Sequence, residues 1–331
     1  MNKQKKVKAV TLVSGGLDSL LSSVIVKNLG IEVHGILCST GLSSENSDKI
    51  CQIGTSCGLN LEILDVSKGY VDLILHPEFG YGTAINPCID CHIHFLRAAK
   101  NLMEKRGYDF VVTGEVLGQR PMSQHLQALH IVENESGLSG RLLRPLSAKL
   151  LPPTVAECEG LIDRNKLFDI QGRSRKRQIE MAKELDIYKH LQPAGGCFLT
   201  DKNYGRKFRD FLEHSNHNIC KKDLLLLKIG RHFRLSESIK LIVGRNESEN
   251  TSLTKYKRGN TMLAAVDCPG PVGILSGIDL TQNIELAASI ILRYADTEET
   301  ESTDVELLID SKSSIITTKP ISNDKLEDLR I

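Results

Sequence analysis

The sequence predicts an α/β protein, a doubly wound parallel sheet with a smaller α+β domain behind it, and three observations predict it. Apolar runs of strand length at Val7–Val13, Ile31–Leu37 and Leu59–Val66 alternate with helical stretches. The first run enters a helix through a short turn of serine and glycine, Ser14–Gly15–Gly16–Leu17–Asp18–Ser19. Beyond residue 223 the alternation gives way to closely spaced strand-like runs. The 331 residues suffice for two or three domains. The reading divides them into a core at 1–120, a loop-rich remainder of the same catalytic unit at 121–220, and a separate domain at 221–331.

Taken in order, the helix Leu20–Leu29 stops at Gly30, and the second strand ends in Cys38–Ser39–Thr40–Gly41. In an open parallel sheet such an end faces the ligand crevice. His76–Gly82 has no period and reads as loop. Cys91–Lys105 repeats Ile93, Leu96, Ala99, Leu102 and Met103 at helical spacing, and Tyr108–Gly114 is the next strand and its exit. Gln119–Gln124 opens a helix running to about Ile131, Leu151–Thr154 opens a short one through Glu159, and Ile179–Leu185 is another. The C-terminal part reads as strands at Leu224–Gly230, Ile239–Gly244 and Met262–Val266, a turn at Cys268–Pro271, a helix at Ile284–Ile291 and a last strand at Ser314–Thr318. Asp296–Asp310 carries seven acidic residues and no basic one, and reads as a hairpin-like junction or a solvated surface.

Composition bounds the function. A net charge of +1 creates no global field for nucleic acid, so an RNA partner must be held by local patches. Aromatic residues make up 5% of the chain, too few for extensive stacking on single strands, so a folded RNA fits better. The basic start Met1–Lys6 leads into no apolar run of signal-peptide kind, and no run of 18 apolar residues is present for a membrane span. Nine cysteines without a secretion signal belong in a reducing cytoplasm, as ligands, nucleophiles or core filler rather than disulfides. Oligomeric state has no sequence signal.

Strand, glycine turn and helix together point backbone N–H groups at an anion. The turn lacks the Gly-Lys-Ser/Thr ending of a Walker A loop and the third glycine of the dinucleotide fingerprint. Asp18 inside it is useful beside phosphates when a cation bridges them. Asn86–Pro87–Cys88–Ile89–Asp90–Cys91 places two thiols three apart where loop becomes helix, and a helix N-terminus favours thiolates. A third thiol, Cys197, follows Pro193–Ala194–Gly195–Gly196. By residue type alone these suit an iron–sulfur cluster with one open iron, a zinc site of Cys88, Cys91 and His94, or a nucleophile pair.

Ser14–Ser19 resembles the loop of the pyrophosphate-loop ATPases, which adenylate a carbonyl oxygen and release pyrophosphate. The fold this implies is Rossmann-like, of the adenine nucleotide alpha hydrolase kind. With Asn86–Cys91, Val112–Thr113–Gly114–Glu115 and Gly195–Asp201, residues 6–212 resemble the tRNA-thiolating branch, the 4-thiouridine synthases and 2-thiouridylases. The resemblance implies ATP with Mg²⁺. It implies phosphate contacts from Ser14, Gly15, Gly16, Leu17, Asp18 and Ser19, and contacts to the rest of the nucleotide at Cys38, Ser39, Thr40 and Gly114. It implies Cys91 and Cys197 as the working thiols, with Asp18 as a cation ligand. Cys88 is extra, and its presence brings the chain nearest the iron–sulfur-dependent subgroup, in which Cys88, Cys91 and Cys197 would hold one [4Fe–4S] cluster. Zinc or a persulfide without metal are the alternatives.

The implied activity is an ATP-dependent tRNA uridine sulfurtransferase fed by a sulfide or persulfide donor, with a weak lean to position 8 of tRNA. Two departures accompany it. About six residues precede the first strand, where the 4-thiouridine synthases carry a tRNA-binding domain, and no sulfur-relay domain is evident in 223–331. That segment instead resembles the RNA-binding module of bacterial ribosome-rescue proteins, at Gly230–Arg234, Val243–Asn246 and Pro269–Pro271. The competing readings are an amidotransferase-type synthetase or ligase on the same loop, and a non-catalytic RNA- or ribosome-binding factor. Glu115 is either near the nucleotide or structural, and Arg144 and Lys149 are either phosphate ligands or ion-pair formers. Basic groups at Arg173, Arg175, Lys176 and Arg177, at Lys202, Arg206, Lys207 and Arg209, and at Lys255, Lys257 and Arg258 are either solvated faces or RNA contacts.

Overall fold

The computed structural model describes residues 6–42, 47–187, 196–215, 219–278, 280–298, 301–309 and 312–331. The chain forms two compact units, Met1–Thr200 and Asp201–Ile331.

The first unit holds β1 (Lys8–Leu12), α1 (Leu17–Asn28), β2 (Glu32–Ser39), α2 (Ser47–Ser56), β3 (Asn60–Asp65), α3 (Tyr70–Leu75), α4 (Cys88–Arg106), β4 (Phe110–Val112), α5 (Leu126–Glu135), β5 (Leu142–Leu143), α6 (Val155–Cys158) and α7 (Lys176–Glu184). The sheet order is β3-β2-β1-β4-β5, and all four pairings are parallel. The chain winds outward from β1 in both directions, so the switch point lies between β1 and β4. There the loops leaving the two strands diverge and open a crevice at the strands' C-terminal edge. Because α4 leads back into β4, its N-terminal end with Cys88 and Cys91 stands at that same edge. The sheet is buried on both faces: Val10, Ile36 and Val111 pack against α4 and α5, whereas Ala9, Phe110, Val112 and Leu143 pack against Val26 and the 148–167 segment. This two-sided burial explains why the strands read as continuous apolar runs rather than alternating ones.

The second unit holds α8 (Lys202–Glu213), α9 (Lys221–Leu226), β6 (Arg231–Ser236), β7 (Ile239–Val243), α10 (Glu247–Leu253), β8 (Thr261–Ala265), β9 (Val272–Gly277), α11 (Ile284–Arg293), β10 (Thr303–Ile309), β11 (Lys312–Thr318) and α12 (Asn323–Leu329). An antiparallel sheet of order β11-β10-β8-β9-β7-β6 covers α11, whose Ala287, Ala288, Ile290 and Ile291 meet Phe233, Leu241, Leu263, Leu275 and Val305. Helix α8 is anchored in this unit: Phe208 is fully buried, and the Asp210 carboxylate accepts from Arg234 Nε at 2.9 Å and Lys240 Nζ at 2.7 Å.

Three elements differ from the sequence reading. Leu224–Gly230 is not a strand: α9 ends at Leu226 and puts Leu224 and Leu227 inward, three apart, so an unbroken leucine run hid a helical face. The acidic stretch is not wholly a junction, because β10 lies within it. Val305 and Leu307 face the core while Asp304 and Glu306 face outward, and the charge count masked the alternation. The helix opened at Gln119 starts only at Leu126, and 119–124 is a run of turns closed by Gln124 N–H donating to Arg120 O at 3.0 Å. Pro193, Ala194 and Gly195 lie outside the described residues, as do Asn216, His217 and Asn218.

Phe233 is fully buried against β7 and Tyr294. Phe233→Ala should cost about 3–5 kcal/mol of stability, read as a lowered denaturation midpoint of the second unit.

Candidate active site

The loop after β1 is shaped by its own side chains. Ser19 Oγ accepts from Ser14 N–H at 3.2 Å and donates to Gly16 O at 2.9 Å. Gly15 adopts φ +77°, a conformation that favours glycine. Gly16 caps α1 without a side-chain acceptor, which leaves the first-turn N–H groups for an anion. The exit of β4 presses on this loop: a Cβ at Gly114 would lie 2.5 Å from Asp18 C and Ser19 N. Cys38 is the penultimate residue of β2, and burial pushes its thiol up to about 12. Its side chain packs into the core, which leaves the backbone of Cys38, Ser39 and Thr40 as the strand-end surface.

Asp18 Oδ2 accepts from Gln119 Nε2 at 2.7 Å and stands 3.7 Å from Arg175. Gln119 Oε1 in turn accepts from Gln178 Nε2 at 3.0 Å, and Gln178 is wholly buried. Among the described residues Asp18 Oδ1 is buried with no hydrogen-bond partner. An orphaned carboxylate oxygen beside a phosphate cradle fits a magnesium ligand.

The thiols form a second group. Asn86 Nδ2 donates to Cys88 Sγ at 3.1 Å, and Tyr70 Oη lies 3.3 Å from Cys91 Sγ in a buried contact. Burial pushes Cys91 up to about 12, against the Tyr70 hydrogen bond and with the help of Cys197 and Cys88. Cys197 is raised as well, first by the protein packed around it and also by Cys88. The expectation that the helix N-terminus would favour thiolates is overturned at Cys91, because burial outweighs the dipole.

Among the described residues no three His, Cys, Asp or Glu side chains come together as the ligands of one metal ion. His94 Nε2 is 2.7 Å from Val66 O, away from the zinc role. Asp90 accepts from the N–H of Glu78 at 2.8 Å and from that of Phe79. The described residues thus do not gather as the ligands of one zinc ion, whereas three thiols, two of them hydrogen-bonded, are the donor type that an iron–sulfur cluster takes.

Glu115 joins the two groups structurally. It is buried, accepts from Thr113 Oγ1 at 3.0 Å and Arg144 Nε at 3.0 Å, and lies 2.8 Å from His92 Nδ1, one residue beyond Cys91. Burial would raise its carboxyl; the Arg144 charge and the His92 hydrogen bond more than reverse this and hold it at about 2. Arg144 also reaches Glu133 at 2.8 Å and Leu129 O at 3.0 Å, so it is a buried structural ion-pair former, out of reach of an RNA backbone. Lys149 is bound to Asn165 O at 2.8 Å, and Arg177 pairs with Asp169 at 2.6 Å. The sequence reading missed Tyr70, Gln119 and Gln178. Gly118 and Pro121 around Gln119 marked a shaped turn, whereas Tyr70 and Gln178 carried no signal.

In the second unit three separate sequence segments line one pocket of about 270 Å³: Arg231, Gly244–Arg245–Asn246 and Pro269–Gly270–Pro271. The Arg231 guanidinium stacks 4.4 Å from the Tyr294 ring centroid, and Arg245 is paired with Glu249. Lys207 on α8 donates to Gly230 O at 2.8 Å, and burial lowers it to about 8.

Comparison with known proteins follows the same division. Residues 4–149 match the family model described as thiamine biosynthesis protein (ThiI), and residues 230–330 match the NFACT protein RNA binding domain. The chain thus carries a ThiI-like N-terminal domain and an NFACT-R-like C-terminal module. Among curated proteins it is 24% identical to the tRNA-specific 2-thiouridylase MnmA of Psychromonas ingrahamii, over 64% of this chain and 58% of that protein. It is 26% identical to MnmA of Proteus mirabilis, over 64% of this chain and 57% of that protein. The chain therefore spans less than two thirds of the length of these relatives. A crystal structure of a 4-thiouridine synthetase–RNA complex with bound ATP aligns with TM-score 0.40 and 24% identity, covering 56% of this chain and 42% of that one.

Glu115→Gln should lower stability by about 3–5 kcal/mol, since it strips the buried Arg144 of its countercharge. In the native chain the Glu115 carboxyl lies below its ordinary value of 4.5, so its contribution is complete above about pH 5 and fades as pH falls toward 2. Acid titration of unfolding should show a shallower loss in the variant, and an unchanged acid limb would remove Glu115 from this role.

Proposed function

We propose that the chain is an ATP-dependent tRNA uridine sulfurtransferase, and the observation that carries this is one crevice edge holding both the Asp18 phosphate loop and the Cys88–Cys91 helix end. The ThiI-like domain and the MnmA relatives support the same reading. Ser14, Gly15, Gly16, Leu17 and Ser19 would hold the phosphates through backbone N–H groups and hydroxyls, with Cys38, Ser39, Thr40 and Gly114 at the remainder of the nucleotide. Asp18 Oδ1 would ligate Mg²⁺. A uracil carbonyl oxygen attacks the α-phosphorus, the bond to the β-phosphate breaks, and pyrophosphate leaves. Sulfur at the oxidation level of sulfide then attacks the activated carbon, and AMP departs with the former carbonyl oxygen, so no electron donor is needed.

Cys88, Cys91 and Cys197 would hold a [4Fe–4S] cluster, whose open iron would present sulfide to that carbon. Tyr70 and Asn86 donate to two of the three sulfurs and lower the cost of negative charge on them. The NFACT-R-like module would supply RNA affinity that the near-neutral net charge does not. The free thiols suit a cytoplasmic setting.

Mass spectrometry of tRNA nucleosides with and without the gene should show one thiouridine lost, and an unchanged profile would sink the reading. Anaerobic purification should yield about four irons per chain, lost when any of the three cysteines becomes alanine. Full thiolation by iron-free, reduced protein would return Cys91 and Cys197 to a persulfide role. Gly114→Ala should weaken ATP binding by roughly tenfold by forcing the β4 exit off the loop, checked by calorimetric titration.

A further inference from the structure

Beside the phosphate loop lies an open groove of about 480 Å³ lined by Gln119, Arg120, Pro121, Arg173 and Arg175. Its two walls come from segments fifty residues apart, and the backbone stitches them together. Leu117 bridges Gln171, Gly172 N–H donates to Leu117 O at 2.8 Å, and Gln178 Nε2 reaches Gln119 at 3.0 Å. The groove is therefore built rather than an accident of long side chains. Among the described residues the guanidinium groups of Arg120 and Arg173 make no hydrogen bond or ion pair, and Arg175 has only the 3.7 Å contact to Asp18. Three converging cations with a single, distant countercharge leave a site that favours an anion with spaced charges.

We propose that this groove is a phosphate clamp for the tRNA strand that carries the target uridine, with Arg120, Arg173 and Arg175 on successive backbone phosphates. Two features favour an RNA strand over the triphosphate of ATP. The cradle for the triphosphate is already present at the start of α1. The Asp18 carboxylate, held by the Gln119 hydrogen bond, stands between that cradle and the groove. A strand in the groove thus passes beside the activating loop, where a uridine must be presented. Of the four basic residues at 173–177, the structure assigns Arg173 and Arg175 to this task, because Arg177 is spent on Asp169.

The proposal rests on the sulfur-transfer reading for the purpose of the strand, but its test does not use thiolation. Binding of bulk tRNA to the full-length chain is followed across salt concentrations, with ATP affinity measured in parallel. The triple variant R120Q/R173Q/R175Q should bind tRNA roughly tenfold more weakly at low salt, with the log–log salt slope shallower by about 2, while ATP affinity stays within about twofold. R120K/R173K/R175K should keep the slope, and R173E alone, at an exposed position, should weaken tRNA should the triple variant misfold. An unchanged slope overturns the proposal, as does weakened ATP binding with tRNA binding intact, which would place the triphosphate in the groove. An absent thionucleoside with the arginine-dependent slope preserved would overturn the sulfur-transfer reading and leave the clamp standing.

Discussion

The arrangement of the first unit depends on a buried carboxylate. Glu115 leaves β4 next to Gly114 and would be a costly charge in that position without Arg144. By taking Arg144 on one side and facing His92 on the other, it ties the exits of β4 and β5 and the first turns of α4 into one body. The phosphate loop rests on the same body through Gly114, where only a glycine lets the backbones approach so closely. The distance between the nucleotide cradle and the thiols is thus set by packing and charge that touch neither ligand.

The two halves of the site solve opposite electrostatic problems. The loop after β1 offers N–H groups to an anion, and retains one carboxylate oxygen free of hydrogen bonds among the described residues. Cys91 is buried, so ionising it is expensive. Tyr70 and Asn86 direct hydrogen bonds at the sulfurs of Cys91 and Cys88.

The second unit carries its pocket on a different architecture. Its antiparallel sheet buries one face under α11, and the residues that gather beside Arg231 and Tyr294 come from strand ends and tight turns. An arginine stacked on an aromatic ring is held flat and keeps its edge for a partner, a geometry suited to nucleotides.

The sequence by itself determined the parallel sheet, the glycine turn into α1 and the placing of Cys88 and Cys91 at the start of α4, because each depends on neighbours within a few positions: apolar runs, a glycine turn, a loop-to-helix spacing. It also showed the three segments around Arg231, Arg245 and Pro269, though not that they meet. Tertiary structure alone decided what depends on distant partners. It turned Arg144 into the countercharge of Glu115, placed Tyr70 against Cys91, and brought Arg120 beside Arg173. It also reversed the expected acidity of Cys91, because desolvation is a sum over everything packed around an atom, and no local pattern along a chain records that sum.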